Sequence, residues 1–179
     1  VLFSHGLGGS REGSAFLGRH WAARGYVAVF LQHPGSDDSV WRGKPVGERM
    51  AAMDGAADGP NFLRRVQDVH AVLDQLATWQ AEAGHALCGR LDLARVGMSG
   101  HSFGAVTTQA VSGQAFIGGR DLFTDGRIKA ALVLSPSSPR RGDPTRAFGG
   151  VRIPWMLMTG TRDVAPIGHA DVASRLAVF

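Results

Sequence analysis

The sequence predicts an α/β fold, a mostly parallel sheet with helices on both faces. Two observations predict it. Short apolar, β-branched runs alternate with helical patterns along the whole chain, as in repeated strand–helix–strand units. The apolar runs are also continuous rather than period-two, as expected for strands covered on both faces. The 179 residues suit a single domain and show no internal repeat.

The expected strands are Val1–Ser4, Tyr26–Leu31, Arg95–Ser99, Ile128–Leu134 and Pro154–Thr159. Between the first two, Ser14–Arg24 carries Phe16, Leu17 and Trp21 and ends before Gly25, a residue suited to leaving a helix. The strongest helical pattern is Asn61–Ala83, where Phe62, Val66, Val69, Leu73 and Leu76 recur at three- and four-residue steps. Asp58 is placed to cap it, Pro60 lies near its first turn, and Gly84 follows its end. A further helix is expected over Ser102–Val111, and an amphipathic one over Asp171–Phe179. Two stretches stand outside the alternation. Residues 34–60 are too long for a simple connection and start at the strand end where α/β sheets bind ligands, so they read as a surface loop or as a partial lid or substrate wall. Ser135–Gly150, rich in Pro, Ser, Arg and Gly, reads as a loop. Val1–Ser4 reads as the end of a buried strand and the last helix stops without a cap, so the fold is expected to be incomplete at both ends.

Composition narrows the function classes. Nineteen Lys and Arg against fifteen Asp and Glu give a net charge of +4, with 44% hydrophobic and 19% charged residues, an ordinary globular balance. The sequence pI near 10.2 follows from scarce groups titrating between pH 8 and 11 rather than from a basic patch. The basic residues are dispersed among acids, which argues against a nucleic-acid partner. The single cysteine, Cys88, excludes an intrachain disulfide and any cysteine-based zinc site. No His or carboxylate pair has metal-ligand spacing, so neither metal nor cofactor is expected. No apolar run approaches the ~20 residues that span a bilayer. The pair Asp37-Asp38 reads as a solvated turn.

Gly100-His101-Ser102-Phe103-Gly104 fits G-x-S-x-G, directly after an expected strand and directly before an expected helix. That setting is a nucleophile elbow, in which two glycines let strand and helix close on each other while the serine is held exposed in a strained turn. Ser4-His5-Gly6-Leu7-Gly8-Gly9 also follows a strand, and there a His-Gly loop can turn a backbone N–H toward an oxyanion. The expected donors are the backbone N–H groups of Leu7 and Phe103. His5 reads as a residue that orders the loop. The Gly6–Gly9 run lacks both the G-x-G-x-x-G spacing and a phosphate-loop lysine.

These motifs carry a resemblance. Phe3-Ser4-His5-Gly6-Leu7-Gly8, Gln32-His33-Pro34-Gly35-Ser36, Gly89-Arg90-Leu91-Asp92 and Gly100–Gly104 together make the chain similar to α/β-hydrolases. Within that superfamily it resembles bacterial predicted dienelactone hydrolases and platelet-activating-factor acetylhydrolase-like esterases, over nearly the whole chain. The resemblance implies a serine hydrolase acting on a small or lipid-like carboxylic ester. Dienelactone hydrolases proper use a cysteine where this chain has Ser102. The segment Gly160-Thr161-Arg162-Asp163 resembles the loop that carries the triad acid in many α/β-hydrolases, which implies Asp163 in that role, with Asp143 as fallback. In the acetylhydrolases the acid follows the preceding strand, at about Ser135 here, which cannot serve. Chain order in the fold is Ser, acid, His. His169 lies only six residues past Asp163 and reads as a surface or helix-start residue, so the base is expected downstream of Phe179. His20, His70, His85 and His101 read as helix-face, loop or turn residues. Two alternatives stand beside the esterase: a polyester- or cutin-type hydrolase, and a non-catalytic α/β-hydrolase-like binding domain.

Overall fold

A computed structural model describes every residue except 117, 118, 140, 141 and 169. Among the described residues five strands, β1 (Leu2–Ser4), β2 (Val29–Leu31), β3 (Val96–His101), β4 (Ile128–Leu134) and β5 (Trp155–Met158), form one sheet in the order β2-β1-β3-β4-β5. Every pairing is parallel. Among the described residues six α-helices accompany them: α1 (Ala15–Ala22), α2 (Val46–Ala56), α3 (Gly59–Ala81), α4 (Phe103–Val111), α5 (Pro144–Phe148) and α6 (Val172–Leu176).

Register explains the layers. Leu2 pairs with Val29 and Met98, so these side chains share one face, with Leu31 opposite Ser4. Against that face α3 lays Val66, Val69, Leu73 and Leu76, and α4 lays Ala110 and Val111. Each fully buried aliphatic side chain there stabilises the fold by about 1.5–3 kcal/mol. Ahead of this stripe the Asp58 side chain accepts from Asn61 N at 2.7 Å, the cap the sequence suggests. Phe3 and Phe30 point to the other face, where Trp21 of α1 meets both rings and a Cβ on Gly18 would collide with Phe30.

Several sequence expectations need correction, among them the loop over Ser135–Gly150, which contains α5. The second strand begins at Val29, not Tyr26, and Tyr26 and Val27 are exposed because the chain reaches the sheet only after them. Coverage of both faces fails at β5, where burial alternates and Met156 is 61% exposed, because α1 covers only the half of its face over β1 and β2. The stretch 34–60 is not an irregular loop, since it contains a 3₁₀ turn at Asp38–Val40 and all of α2.

Candidate functional site

The parallel sheet brings the chemistry-bearing motifs to its carboxyl-terminal edge. His101 pairs with Leu134, and Leu134 with Met158, so Ser102, Ser135 and Thr159 follow in a row. Backbone bonds keep that row in line: Ser102 N donates to Leu134 O and Ser135 N to Met158 O. Adjacent strands lie about 4.8 Å apart, which puts Ser102 and Thr159 about 10 Å apart.

Ser102 stands in a sharp turn between β3 and α4 with φ 56° and ψ −116°, a backbone conformation that costs a non-glycine residue about 1–3 kcal/mol. Two close approaches hold it there. A Cβ on Gly100 would overlap the Gly104 carbonyl, and a Cβ on Gly104 would overlap the Ser4 carbonyl oxygen of β1. Only glycine at both places lets helix and strands close around the serine. The Ser102 carbonyl accepts from Ala105 N and Val106 N, which starts α4 directly beneath it. At this helix start the Phe103 N–H has no intrahelical acceptor.

The loop after β1 runs alongside. A Cβ on Gly6 would lie 3.4 Å from Ser102 Cβ. His5 is buried, and its ring fixes this loop. Nδ1 meets Gly6 O at 2.7 Å, and His33 N donates to Nε2 at 3.2 Å. A carbonyl only accepts, so the proton sits on Nδ1 and the ring is neutral. In a trans peptide C=O and N–H point oppositely, so anchoring Gly6 O by His5 and by Gly9 N aims the Leu7 N–H the other way. A cavity of about 270 Å³ opens here, lined among others by Leu7, Gly8, Ser10, Ser14, His101 and Ser102. A larger cleft, about 780 Å³, lies at the opposite edge of the sheet, among Val1, Val96 and Lys129, away from Ser102.

Burial pushes the His5 imidazole down to about 4, opposed by its bond to Gly6 and reinforced by the Arg65 charge. Between pH 6.5 and 4 the unfolded imidazole therefore takes up a proton that the folded one refuses. The stabilisation is complete above pH 6.5 and is lost as pH falls toward 4, by about 3 kcal/mol. His5→Asn, which keeps a donor near Nδ1 but cannot titrate, is expected to flatten urea-unfolding stability between pH 7 and 4 by about this amount. Parallel pH profiles for the two proteins would contradict the buried, neutral ring.

Asp163 follows β5 and is half-buried. Thr159 Oγ1 donates to its Oδ2 at 3.0 Å, and Arg175 of α6 meets Oδ1 at 3.1 Å. Burial raises its carboxyl, but bonds from Ser135 and Thr159 and the Arg175 and His101 charges outweigh that and hold it below the usual aspartate value. Arg175 is itself buried and donates to the Ser135 and Pro136 carbonyls, so the ends of β4 and β5 are tied to α6. Ser135, which has no acid group of its own, helps to hold the Asp163 carboxyl ionised. Asp143 caps α5 by accepting from Thr145 N. His101 is exposed. Among the described residues no histidine hydrogen-bonds to Ser102. His169 lies outside the described residues.

Sequence reading missed a polar cluster beneath the loop. Asp68 accepts from His33 Nδ1 at 2.7 Å, and His33 Nε2 meets Ser4 Oγ at 2.9 Å. Because Asp68 can only accept, a neutral His33 takes the Ser4 proton on Nε2. Burial holds the His33 ring below the ordinary histidine range, although Asp68 opposes this. Arg65, wholly buried, then reaches Ser4, His5, Ser36 and Thr107. Its guanidinium is pushed down to about 9 by burial, against Asp68 and Asp37, and so stays cationic at neutral pH. One signal was present in the sequence: Arg65 falls on the same helical stripe as Val69, Leu73 and Leu76. Asp37 is no solvated turn either, since it is buried, caps the 3₁₀ turn and accepts from Gln32. From residues 34–60, Trp41 Nε1 donates to Gly8 O at 2.7 Å, and Met53 leaves no room for a side chain at Gly8.

Compared with models of known protein families and with curated proteins, the chain matches none. Among the described residues, no group of three or more His, Cys, Asp or Glu is placed to hold a metal ion, and no helix is long and apolar enough to cross a membrane.

Proposed function

We propose that this chain is the nucleophile-bearing part of a serine esterase of the α/β-hydrolase type. The observation that carries the reading is Ser102 itself, held at positive φ between β3 and α4 by two glycines that admit no side chain. In the reaction Ser102 Oγ attacks the ester carbonyl carbon while a histidine takes its proton. The carbonyl oxygen becomes an oxyanion facing the Leu7 and Phe103 N–H groups. Collapse of the tetrahedral intermediate expels the alcohol, which leaves with the histidine's proton, and an acyl-serine remains. Water attacks the acyl carbon, giving its proton to the histidine, and the carboxylic acid departs as the proton returns to Ser102.

Asp163 is assigned to orient that histidine. About 10 Å between the Ser102 and Thr159 positions leaves the width of an imidazole bonded on both sides. The proposal takes the base from sequence following Phe179. The cavity beside Ser102 suits a compact acyl group, and residues 34–60 act as a wall to the oxyanion loop through Trp41 and Met53. The non-catalytic binding domain is the second reading, favoured by one observation, the Arg175 guanidinium on Asp163 Oδ1.

The test is p-nitrophenyl butyrate hydrolysis by the full-length protein and its Asp163→Asn variant. A fall in kcat of about 10⁴-fold with KM changed less than a few fold is expected, because the amide would favour the wrong imidazole tautomer. An inactive wild-type protein, or an Asp163→Asn variant with undiminished kcat, overturns the reading.

A further inference from the structure

Among the described residues Arg65 is the largest fully buried side chain, on a helix whose other buried residues are Asn61, Val66, Val69, Leu73 and Leu76. Burying a guanidinium is costly unless its donors are satisfied, and here four of the five N–H groups are satisfied by the parts that surround Ser102. Nη2 donates to the His5 carbonyl and, at 3.3 Å, to Ser4 Oγ, both at the start of the loop that carries Leu7. Nη1 donates to Ser36 Oγ at 2.8 Å, and the carbonyl of Ser36 receives Gly8 N from that same loop. Nε donates to Thr107 Oγ1 at 3.2 Å, and the Thr107 hydroxyl passes a bond to Phe103 O. The guanidinium carbon also sits 4.6 Å from the centre of the Phe103 ring. One rigid fork therefore contacts the chain on both sides of the serine.

We propose that Arg65 is a positioning residue that fixes the spacing between the Leu7 and Phe103 N–H groups through the His5 carbonyl, Ser36, Thr107 and the Phe103 ring. The inference rests on the esterase reading of Ser102 and deepens it. Arg65 touches no substrate. Lysine cannot replace it, because a single ammonium cannot reach acceptors on α4, the β1 loop and the Ser36 turn with the geometry of a planar five-donor group. His33 and Asp68 complete the device by leaving Ser4 Oγ free to accept from Arg65.

The experiment compares wild-type full-length protein with Arg65→Lys and Thr107→Val. It measures kcat and KM for p-nitrophenyl butyrate, and the inhibition constant of an aryl trifluoromethyl ketone, whose serine adduct places an oxyanion between the two N–H groups. Arg65→Lys is expected to lower kcat about 100-fold, the cost of an ångström of misplacement. The ketone should weaken in step while KM stays within about threefold, since only the developing oxyanion depends on that spacing. Thr107→Val, nearly isosteric, removes one link and decides the matter if Arg65→Lys does not fold; about fivefold losses in both quantities are expected, as for one hydrogen bond. Unchanged kcat and ketone affinity in the folded variants, a change in KM alone, or full turnover with lysine would overturn the positioning role. An inactive wild-type protein that does not bind the ketone would instead overturn the esterase reading, and this proposal with it.

Discussion

Ser102→Ala is expected to lower ester turnover by the full-length protein by about 10⁶-fold while leaving the fold intact. In the proposed esterase the loss is large because the nucleophile, its base and the orienting acid would act as a unit. Without the hydroxyl only binding and the oxyanion donors remain. The fold should survive because alanine differs by one oxygen whose hydrogen bonds are not part of the turn. What holds the turn is backbone: Ser102 N on Leu134 O, and the Ser102 carbonyl under Ala105 and Val106. Stability is expected to change by less than about 1 kcal/mol, as for substitutions that open no cavity and strand no polar group. A Ser102→Ala protein that still hydrolysed p-nitrophenyl butyrate would place the nucleophile elsewhere.

Gly104→Ala should do the opposite, damaging the fold first. Its Cβ would overlap the Ser4 carbonyl and lie 2.8 Å from the His5 carbonyl, both backbone atoms that cannot swing aside as a side chain can. Either β1 or the start of α4 must move, and each is tied into the sheet. A loss of at least about 3 kcal/mol is expected from such overpacking, lowering Tm by about 6–12 °C in a chain of this length. Gly55→Ala is the control. Gly55 lies in α2, and nothing comes within 4 Å of the place an alanine methyl would take, so alanine there should be neutral or stabilise by up to about 1 kcal/mol. Equal effects at the two glycines would contradict the close packing of helix on strand.

The parts of this fold legible in the sequence are those set by local pattern. Continuous apolar runs mark the five described strands, and in β1, buried throughout, the reason is that a parallel strand covered on both faces need not alternate, whereas β5 keeps such a run although its burial alternates. The long stripe of α3 is legible for the same kind of reason, its apolar residues matching a 3.6 period along the helix. The turn at Ser102 could be read because two glycines two residues either side of a serine have a steric purpose only where a strand meets a helix. In contrast, α2 is hidden. It holds Gly47 and Gly55, leaves Val46 and Met50 exposed, and is secured by Met53 against Gly8, about forty-five residues away in sequence. The polar cluster of Ser4, His33, Arg65 and Asp68 is hidden more deeply. Ser4, His33 and Asp68 are unremarkable where they stand, and only the pairing of β1 with β2, with α3 packed behind, brings them into contact with Arg65. Arg65 carried a signal, a cation in the middle of a buried stripe, but its acceptors come from separate segments of the chain.

The central claim, that Ser102 is an activated nucleophile facing two backbone N–H groups, is tested most directly by covalent trapping. The full-length protein is incubated with a fluorophosphonate, which loses fluoride on attack by an activated serine, and the modified peptide is located by mass spectrometry. A single phosphonyl adduct on Ser102 is expected, with none on the Ser102→Ala protein and loss of ester turnover in proportion to the adduct formed. An unmodified Ser102 in folded protein, or an adduct on another serine that accounts for the lost turnover, would contradict it.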